Sequence, residues 1–536
     1  MTTLTRPYAV AQLVRDRAKE LSNNPVFSYQ DEHLSYANLH VNSDLTAKAL
    51  LVKGIKKGDR IAFLGKNSPV YFELIAAVAK IGAVVVPINW RLASAELSYI
   101  LNDSQASLLF VEPLFFDTVA SIQSSLDYEL SVCVINGDHT DAISYLELQS
   151  QGDLADISLD SSSYDDADVG IVQLYTSGTT GKPKGAVLTS RMLTALRGQE
   201  EAFQVPDWQG YEIGETGLLV MPCFHVGGTS FGLGIIYNGA HSVVLPEYDQ
   251  NEVIDLIEKF KVSKAFMVPA ALQSLLNNPR IDTADLSSLN HIYYGASPIP
   301  LELMRAAIER FDCGFVQMYG MTESGGTIVA LPPEDHDPDS NDAAVINRMN
   351  SVGKPLQGVE IKVIDEQGNT LKNGQTGEIA TRSVKNIIAY WNRPEATQST
   401  IDKNGWLRTG DAGYIDDDGY LYIQDRVKDM IISGGENIYP AEVENALYAH
   451  QAIQEVAVIG VPDDKWGETV KAVVVLREGQ SADPESIIKF SRERIAAYKC
   501  PKSIAFIDAL PRNATGKVLR KDLRAPYWKG RSRSVN

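Results

Sequence analysis

The chain has 536 residues, a formal net charge of −19, 44% hydrophobic residues and 22% charged residues. This length is too great for a single hydrophobic core and predicts about two to four domains of an ordinary globular protein. The acidic balance argues against general nucleic-acid binding, which requires a basic surface.

Neither the N-terminus nor any apolar stretch predicts secretion or membrane insertion. Residues 1–10 contain one arginine and no apolar core segment. The most apolar stretch, residues 74–88, is interrupted by Lys80, Gly82 and Pro87, and therefore predicts a helix followed by a buried strand. The four cysteines lack metal-type spacing and predict buried free thiols. We expect a cytoplasmic protein without an integral membrane segment.

Short apolar runs alternate with amphipathic segments from Phe27 onward, which is typical of doubly wound α/β domains. The first predicted strands are residues 60–64, 83–87 and 107–111, and the first predicted helices are residues 69–81 and 94–101. An acidic, serine-rich connection follows at residues 150–168, after which the alternation continues to about residue 330.

A glycine-rich loop follows this connection at residues 175–185, with three glycines, four aliphatic hydroxyls and two lysines. Glycines let backbone N–H groups approach an anion, hydroxyls donate hydrogen bonds and lysines supply charge, so the loop predicts triphosphate binding. Only two residues separate Gly178 from Gly181, and Pro183 follows Lys182, which excludes a Walker A loop. A flexible surface hairpin is the structural alternative.

This string resembles the signature of the adenylate-forming superfamily, which contains acyl-CoA synthetases, firefly luciferase and the adenylation domains of peptide synthetases. The resemblance implies that ATP, Mg²⁺ and coenzyme A act together with a small carboxylic acid. It assigns the phosphate contacts to Thr176, Ser177, Gly178, Thr179, Thr180, Gly181, Lys182 and Lys184.

A histidine occurs in the later string Pro222–Gly228. Beside a phenylalanine, a lone histidine is more often a hydrogen-bonded structural residue than a catalytic one. The resemblance implies instead that His225 stands at the mouth of the acyl pocket and gates the substrate carboxylate.

Two motifs near the end of this region predict a nucleotide site. Small residues after a strand at 292–298 would form a flat shelf, and residues 317–323 combine a tyrosine for base stacking, a glycine, a hydroxyl for the α-phosphate and a carboxylate for Mg²⁺. The resemblance assigns Mg²⁺ to Thr176 and Glu323. It assigns the adenine and acyl contacts to Gly295, Ala296, Ser297, Gln317, Met318, Tyr319, Gly320 and Met321, while the hydroxyl for the α-phosphate is that of Thr322.

A β-rich segment is predicted at about residues 350–424, with strands at 359–364 and 378–381. Asp411 follows a glycine turn, where it could accept hydrogen bonds from ribose hydroxyls. An aspartate in a turn is usually only a turn residue. The resemblance implies that Asp411 and Arg426 bind the ribose.

A charged loop and a Gly-Gly hairpin then predict a hinge. The resemblance places the pivot at Lys428 and assigns Ser433, Gly434 and Gly435 to a pantetheine tunnel.

Beyond the hinge we predict helices at 440–449 and 484–497 and strands at 455–460, 471–476 and 503–507. A lysine in an exposed glycine turn is usually solvated, but the resemblance implies that Lys517 reaches into the active site during adenylation.

The motifs follow the family's order along essentially the whole chain. We therefore expect an α/β protein: residues 1–426 form a large N-terminal region of two doubly wound α/β subdomains and a β-rich subdomain, and residues 427–536 form a small, mobile α+β domain. The implied enzyme is an AMP-forming acid–CoA ligase, which makes an acyl-adenylate and pyrophosphate and then transfers the acyl group to CoA. Its catalytic residues are Lys517, Glu323, Thr176 and His225.

Several alternatives share the nucleotide motifs: an aryl-acid CoA ligase, a free-standing adenylation enzyme that loads a carrier protein, and a luciferase-type oxygenase. A non-catalytic adenylate-binding scaffold would have no need of Lys517. The residues around His225, Tyr293 and Met321 are apolar or small and include no arginine. This pattern favours a medium- to long-chain or bulky apolar acid over amino acids, dicarboxylates and acetate. The sequence leaves a homodimer open.

Overall fold

The structure is a computed structural model that describes residues 9–159, 166–176, 182–195, 206–297, 299–426, 429–433, 436–463, 465–512 and 518–529. It is a mixed α/β protein with two large sheets flanked by helices, an antiparallel sheet and a further sheet near the C-terminus. The predicted fold class is therefore confirmed.

Strands and helices are numbered in chain order. The strands are β1 Pro25–Tyr29, β2 Glu32–Ser35, β3 Arg60–Leu64, β4 Val84–Pro87, β5 Leu108–Val111, β6 Ser131–Val134, β7 Ile143–Ser144, β8 Gly170–Thr176, β9 Lys184–Thr189, β10 Thr216–Leu219, β11 His241–Val244, β12 Lys264–Met267, β13 His291–Gly295, β14 Gly314–Met321, β15 Gly326–Leu331, β16 Lys354–Pro355, β17 Glu360–Ile364, β18 Gly377–Arg382, β19 Leu407–Ile415, β20 Leu421–Arg426, β21 Ile431–Ser433, β22 Glu436–Ile438, β23 Ile453–Asp463, β24 Gly467–Leu476 and β25 Ser503–Phe506. The helices are α1 Val10–Glu20, α2 Tyr36–Val52, α3 Pro69–Ile81, α4 Ser94–Ser104, α5 Phe116–Ile122, α6 Tyr145–Leu154, α7 Ser190–Thr194, α8 Val226–Asn238, α9 Gln250–Phe260, α10 Pro269–Leu276, α11 Leu301–Phe311, α12 Ala343–Arg348, α13 Pro394–Thr400, α14 Pro440–Tyr448, α15 Pro484–Arg492 and α16 Arg520–Arg524.

The first large sheet has the strand order β7-β6-β5-β3-β4-β8-β9 among the described residues. Every neighbouring pair is parallel except β8 and β9, which are antiparallel. The helix between β3 and β4 is specified locally: the Ser68 hydroxyl caps α3, Pro69 begins it, and Gly82 ends it in a left-handed conformation. β8 ends at Thr176 and β9 begins at Lys184, so the predicted phosphate loop connects these two strands.

The second large sheet has the order β16-β15-β14-β13-β12-β10-β11-β1-β2 within the described residues. Its interior strands, from β14 to β1, are parallel, and both edges are antiparallel. β13 ends at Gly295 and β14 ends at Met321, so both predicted nucleotide motifs lie at carboxyl ends of parallel strands, where ligands of open α/β sheets bind. The largest core cluster contains residues of both sheets, such as Val85 and Val316.

The C-terminal half of the chain adds two smaller sheets. Strands β17-β18-β19-β20 form an antiparallel sheet in the segment predicted to be β-rich. Strands β22-β21-β24-β23 form the last sheet, to which β25 adds in parallel, and a separate core cluster fills its face. The domain boundary at residue 426 and the pivot at Lys428 stay predictions, and Lys428 lies outside the described residues.

Most predicted elements agree with the observed ones to within a few residues, and β3 and α3 agree in both bounds. The helix predicted at 484–497 is wrong at its C-terminus, because α15 ends at Arg492. After Arg492 the Arg494 and Ile495 N–H groups both donate to the Ser491 carbonyl over 3.0 Å, so the backbone continues as a mixed turn and not as a regular α-helix.

A buried carboxylate lies where α2, α3 and α6 meet, apart from the predicted site. Glu73 is 4% exposed. Its two oxygens accept hydrogen bonds from the Asn42 amide and the Tyr145 hydroxyl, both over 2.8 Å. Burial raises the pKa of Glu73 to about 7, although both hydrogen bonds and the charge of Lys80 oppose the shift. Part of this carboxyl is therefore protonated near neutral pH.

Lys80 lies two turns after Glu73 on α3 and is also buried. Its ammonium lies 2.6 Å from a carboxylate oxygen of Asp44 and donates to the Ser43 hydroxyl and the His40 carbonyl. Burial lowers the pKa of Lys80 to about 8, against the opposing attraction of Asp44. Because this pKa lies above 7.5, Lys80 stays largely charged in slightly acidic solution, where Glu73 titrates.

We expect the free energy of unfolding of the Glu73→Gln variant, taken relative to that of the wild type, to increase as the pH rises from about 6 to about 7.5. A carboxyl whose pKa is raised on folding contributes stability at low pH and loses it as the pH rises through the folded-state pKa. The shift to about 7 corresponds to about 1 kcal/mol over this interval. Urea unfolding of both proteins measures the difference, with the exposed Glu366→Gln as a control; a difference independent of pH would contradict the burial argument.

Candidate active site

The two predicted metal ligands come from distant parts of the chain and lie next to each other. Thr176 is the last residue of β8, and Glu323 lies in a 3-10 turn, Thr322–Ser324, directly after β14. The Thr176 hydroxyl donates a hydrogen bond to Oε1 of Glu323 over 3.0 Å. This bond joins the carboxyl end of a strand in the first sheet to that of a strand in the second.

Glu323 has a further partner that the sequence analysis did not identify. The Tyr390 hydroxyl donates to the same oxygen, Oε1, over 2.8 Å, and the Ile387 N–H group donates to the Glu323 carbonyl over 2.8 Å. Glu323 is 6% exposed, and a carboxylate so deeply buried requires hydrogen-bond donors. Among the described residues both side-chain donors contact Oε1, which leaves Oε2 for another ligand.

This arrangement of oxygens fits Mg²⁺. Magnesium prefers oxygen ligands, and in nucleotide sites it takes one or two from protein and the rest from phosphates and water. Within the described part of the chain, no group of three or more histidine, cysteine, aspartate or glutamate side chains could hold a metal ion. The residues therefore suit an ion that is bound mainly through the nucleotide, with Glu323 and Thr176 as protein ligands.

Both ends of the predicted phosphate loop are anchored to α4. Before the loop, the Tyr175 hydroxyl donates to a carboxylate oxygen of Asp103 over 2.7 Å; after it, the Tyr99 hydroxyl donates to the Pro183 carbonyl over 3.0 Å. Asp103 also accepts from the guanidinium of Arg393. The predicted loop residues that lie outside the described part of the chain are Ser177, Gly178, Thr179, Thr180 and Gly181.

The two lysines at the second end of the loop stand over aromatic rings. The Lys182 ammonium lies 5.3 Å from the ring centroid of Tyr99, and the Lys184 ammonium lies 4.8 Å from that of Tyr390. A cation–π contact holds an ammonium group without neutralising its charge. Both charges are therefore held beside the loop and remain available to a phosphate.

The predicted adenine shelf is constrained by close backbone contacts. A Cβ atom at Gly295 would lie 2.2 Å from the Met318 carbonyl oxygen, so only glycine fits where β13 meets β14. The next residue, Ala296, has a φ of +66°, a left-handed conformation that strains a side-chain-bearing residue. Ser297 follows, and Gln317 is buried behind the shelf, where it accepts from the Tyr294 hydroxyl over 3.3 Å.

A tyrosine and an aspartate from different sheets meet at the predicted adenosine position. The Tyr319 hydroxyl donates to a carboxylate oxygen of Asp411 over 2.8 Å. A Cβ atom at Gly320 would lie 2.1 Å from the Gly326 carbonyl oxygen, so the strand after Tyr319 packs directly against β15. The backbone of Arg426 pairs with Asp411, and the Arg426 side chain lies outside the described part of the chain. Met321 and Thr322 connect this strand to Glu323.

His225 lies at the N-terminus of α8, where its carbonyl accepts from the Thr229 N–H group over 3.0 Å. The loop before it is held by Asn67, whose amide oxygen accepts from the Cys223 N–H group over 2.8 Å. Burial lowers the pKa of His225 to about 4, and the nearby Arg91 acts in the same direction. The imidazole is therefore neutral at physiological pH.

Successive residues before the shelf point to opposite faces of the second sheet. Tyr293 belongs to the core cluster on the α8 face, and its hydroxyl donates to the Trp208 carbonyl over 2.7 Å. Tyr294 belongs to the cluster on the other face, and its hydroxyl lies 2.9 Å from a ring nitrogen of His336. The two adjacent tyrosines therefore belong to different core clusters on opposite faces of the sheet. The assignment of Tyr293 to the acyl pocket stays a prediction.

The predicted C-terminal site residues are only partly described. Ser433 is the last residue of β21 and pairs with Glu436 and Gly467. The residues that lie outside the described part of the chain are Gly434, Gly435 and Lys517. The structure therefore leaves the assignments of Lys517 to adenylation and of residues 433–435 to a pantetheine tunnel as predictions.

Sequence reasoning missed a connecting segment, residues 387–393, which runs along this site. Tyr390 forms an isolated antiparallel bridge with Ala186, and the Trp391 N–H group donates to the Gly185 carbonyl over 2.7 Å. The only local signal is an aromatic pair followed by the proline that begins α13. That signal is typical of many surface turns.

Comparison with known proteins identifies the family. The family model "AMP-binding enzyme" matches residues 14–391, and the model "AMP-binding enzyme C-terminal domain" matches residues 442–517. The chain belongs to the AMP-binding enzyme family. It is therefore an AMP-forming ligase of the acid–CoA ligase class, and ATP and CoA are its substrates; Mg²⁺ is typical of the family.

Its relatives include enzymes with different acids and acceptors. A fatty acid–[acyl-carrier-protein] ligase of Streptomyces coeruleorubidus is 37% identical over 527 residues, which covers 98% of each chain. A long-chain-fatty-acid–CoA ligase of Mycobacterium tuberculosis is 35% identical over 499 residues, which covers 93% of this chain and 94% of the relative. The crystal structure of an anthranilate CoA ligase with anthranoyl-AMP superposes with a TM-score of 0.85 at 26% identity and covers 98% of both chains.

The search for membrane-spanning segments is negative. In the described ranges, every helix is too short or too polar to cross a bilayer.

We expect the pH profile of acid-dependent pyrophosphate exchange between about pH 6 and pH 8 to keep its shape in His225→Asn. A histidine with a pKa of about 4 is protonated to about 1% at pH 6, so its titration lies below this range. The rate itself is expected to fall, because the side chain occupies the mouth of the predicted acyl pocket. A change in the wild-type exchange rate with a midpoint near pH 6.5 that is absent from the variant would contradict the assignment of a neutral imidazole.

Proposed function

We propose that the enzyme activates a medium- to long-chain or bulky apolar carboxylic acid with MgATP and transfers the acyl group to coenzyme A. The observation that carries the nucleotide half of this proposal is the contact between Thr176 and Glu323, with Lys184 beside it. Tyr319 of β14 and Asp411 of the neighbouring antiparallel sheet are hydrogen-bonded to each other, and we assign them to the base and the ribose.

In the first half-reaction the substrate carboxylate attacks the α-phosphorus of ATP, and pyrophosphate leaves. The chain's contribution is to align the carboxylate with the leaving group and to neutralise developing charge. We assign that task to Lys517 and to the loop residues from Thr176 to Lys184. A bound Mg²⁺ ion would supply further charge neutralisation on the phosphates.

In the second half-reaction the CoA thiol attacks the acyl carbonyl carbon, and AMP leaves. We propose that the C-terminal domain turns about Lys428 between the two steps, because Lys517 is needed only in the first. Residues 433–435 would then line the pantetheine tunnel. Ser433 ends β21, the first strand of a short β-hairpin that pairs with β24.

The preference for an apolar acid rests on the side chains between α8 and the second sheet. Phe231 and Tyr293 are both buried on this face, and Tyr211 meets the Phe231 ring edge-on at 6.0 Å between centroids. The cation that lies near His225 is Arg91, and it is already paired with Glu247 at 3.3 Å. These apolar side chains support our proposal of a hydrocarbon group over a second carboxylate.

A carrier protein is the second candidate acceptor. The observation that favours it is the similarity to the fatty acid–[acyl-carrier-protein] ligase over 98% of both chains. An aryl acid is the second candidate substrate, because the anthranilate CoA ligase shares the fold over 98% of both chains. The cytoplasmic location and the homodimer stay predictions.

We expect pyrophosphate exchange to identify the acid. Each methylene buried in an apolar pocket contributes about 0.8 kcal/mol, so kcat/KM should rise about fourfold per added methylene until the pocket is filled. The measurement compares straight-chain acids of about two to sixteen carbons with aryl acids and dicarboxylates. A preference for acetate or a dicarboxylate would overturn the proposed acid class. Thioester formation with CoA and with a phosphopantetheinylated carrier protein, assayed separately, decides the acceptor.

We expect Lys517→Ala to abolish most of the adenylation activity and to spare transfer from a supplied acyl-adenylate to CoA. Removal of one charge that acts mainly in the transition state costs about 10²- to 10³-fold in rate, by analogy with an oxyanion-hole donor. The two half-reactions are measured separately on one folded preparation. An equal loss in both would show that Lys517 does not act in adenylation alone.

A further inference from the structure

Residues 387–393, which we call the strap, contact three parts of the site. Near its start, the Ile387 N–H group donates to the Glu323 carbonyl over 2.8 Å. In its middle, Tyr390 pairs with Ala186 of β9, the strand that follows the phosphate loop. Near its end, the Trp391 indole N–H donates to the Asp103 carbonyl over 3.1 Å, at the C-terminal end of α4. The strap therefore fixes the position of Glu323 relative to β9 and α4, the elements that hold the ends of the phosphate loop.

Tyr390 is the strap residue whose side chain reaches both predicted phosphate-binding elements. Its hydroxyl donates to Oε1 of Glu323 over 2.8 Å, and its ring centroid lies 4.8 Å from the ammonium of Lys184. Tyr390 is 6% exposed, so both contacts are shielded from water. A purely structural tyrosine makes a different contact: the hydroxyl of Tyr248, for example, donates to the backbone carbonyl of Ala271 over 2.9 Å.

The position of the hydroxyl determines which carboxylate oxygen remains for a cation. The terminal torsion of a glutamate is broad, so a single donor leaves the carboxylate free to turn. Thr176 alone would be such a donor, and its hydroxyl is itself a predicted metal ligand. With Tyr390 as a second donor, Oε1 is held by two hydrogen bonds, and among the described residues both side-chain donors leave Oε2 to another ligand.

We propose that Tyr390 is a positioning residue for the metal–nucleotide complex, which orients Oε2 of Glu323 toward Mg²⁺ and holds the Lys184 ammonium beside the phosphate loop. This inference rests on the proposed function, in which Glu323 binds the metal. Groups that hydrogen-bond a metal ligand commonly change metal affinity by about 10- to 100-fold when they are removed. Tyr390 itself contacts neither ATP nor the acid in this scheme.

The test removes the hydroxyl and keeps the ring. In Tyr390→Phe we expect the Mg²⁺ concentration for half-maximal pyrophosphate exchange to rise about tenfold, with the rate at saturating metal within about threefold of wild type and the KM for the acid unchanged. As a readout that does not depend on activity, electron paramagnetic resonance measures Mn²⁺ binding to the enzyme with a non-hydrolysable ATP analogue. Its dissociation constant should weaken by a similar factor.

Three further variants make the result decisive. Tyr248→Phe is the control for loss of a partly buried tyrosine hydroxyl that hydrogen-bonds away from the site, and it should leave both metal readouts unchanged. Tyr390→Leu also removes the ring below Lys184 and should further weaken binding of the ATP analogue without metal. Glu323→Gln should weaken Mn²⁺ binding and tests the metal assignment itself.

The outcomes separate the two levels of the proposal. Unchanged Mn²⁺ binding in Glu323→Gln would overturn the metal assignment and, with it, this part of the proposed function. Weaker binding in Glu323→Gln but wild-type Mg²⁺ and Mn²⁺ titrations in folded Tyr390→Phe would overturn only the role of Tyr390. A loss of exchange in Tyr390→Phe that is equal at all metal concentrations would also overturn it, since that result indicates a general structural role.

Discussion

The buried carboxylate of Glu323 imposes the constraint on which the rest of the site depends. A carboxylate with so little exposure requires hydrogen-bond donors, and its two side-chain donors come from β8 and from the strap. Those donors lie 147 and 67 residues away in the sequence. The bonds that satisfy this one group therefore hold the two large sheets and the strap in a fixed relation, and within the described part of the chain both side-chain donors contact the same oxygen of Glu323.

The sheets supply that meeting point because of their strand directions. The second sheet is parallel in its interior, so β13 and β14 release their loops at the same edge, where the adenine shelf and Glu323 lie. The first sheet ends in the antiparallel hairpin of β8 and β9, which places both ends of the phosphate loop at the carboxyl end of β8. α4 then holds these ends through the hydroxyls of Tyr175 and Tyr99. The predicted nucleotide site is thus built on rigid elements.

Local sequence predicted the parts of this arrangement but not the contacts between them. The alternation of apolar and amphipathic segments placed β3 and α3 correctly, because both depend on neighbours within a few residues. The motifs placed Thr176 and Glu323 in the same site through resemblance to a family. Tyr390 and Asp103 were not identified, because a tyrosine and an aspartate acquire their roles only from partners far along the chain. The alternation of β13 sends the adjacent Tyr293 and Tyr294 to opposite faces of the sheet, so their contacts also depend on distant residues.

The same physical reasoning explains why the nucleotide chemistry is easier to predict than the acid. At the shelf, Gly295 and Gly320 lie so close to neighbouring backbone that no side chain fits, and the contacts of Tyr319, Asp411 and Glu323 are specific polar bonds. Such positions admit few residue types, so a motif carries their chemistry. The face on which we propose that the acid binds consists instead of packed apolar side chains such as Phe231, Tyr293 and Trp208, several of which other apolar residues could replace at small cost. In that proposal a change in their volume would alter which acid fits without altering the nucleotide site, so acid specificity would depend on shape that a short motif does not encode.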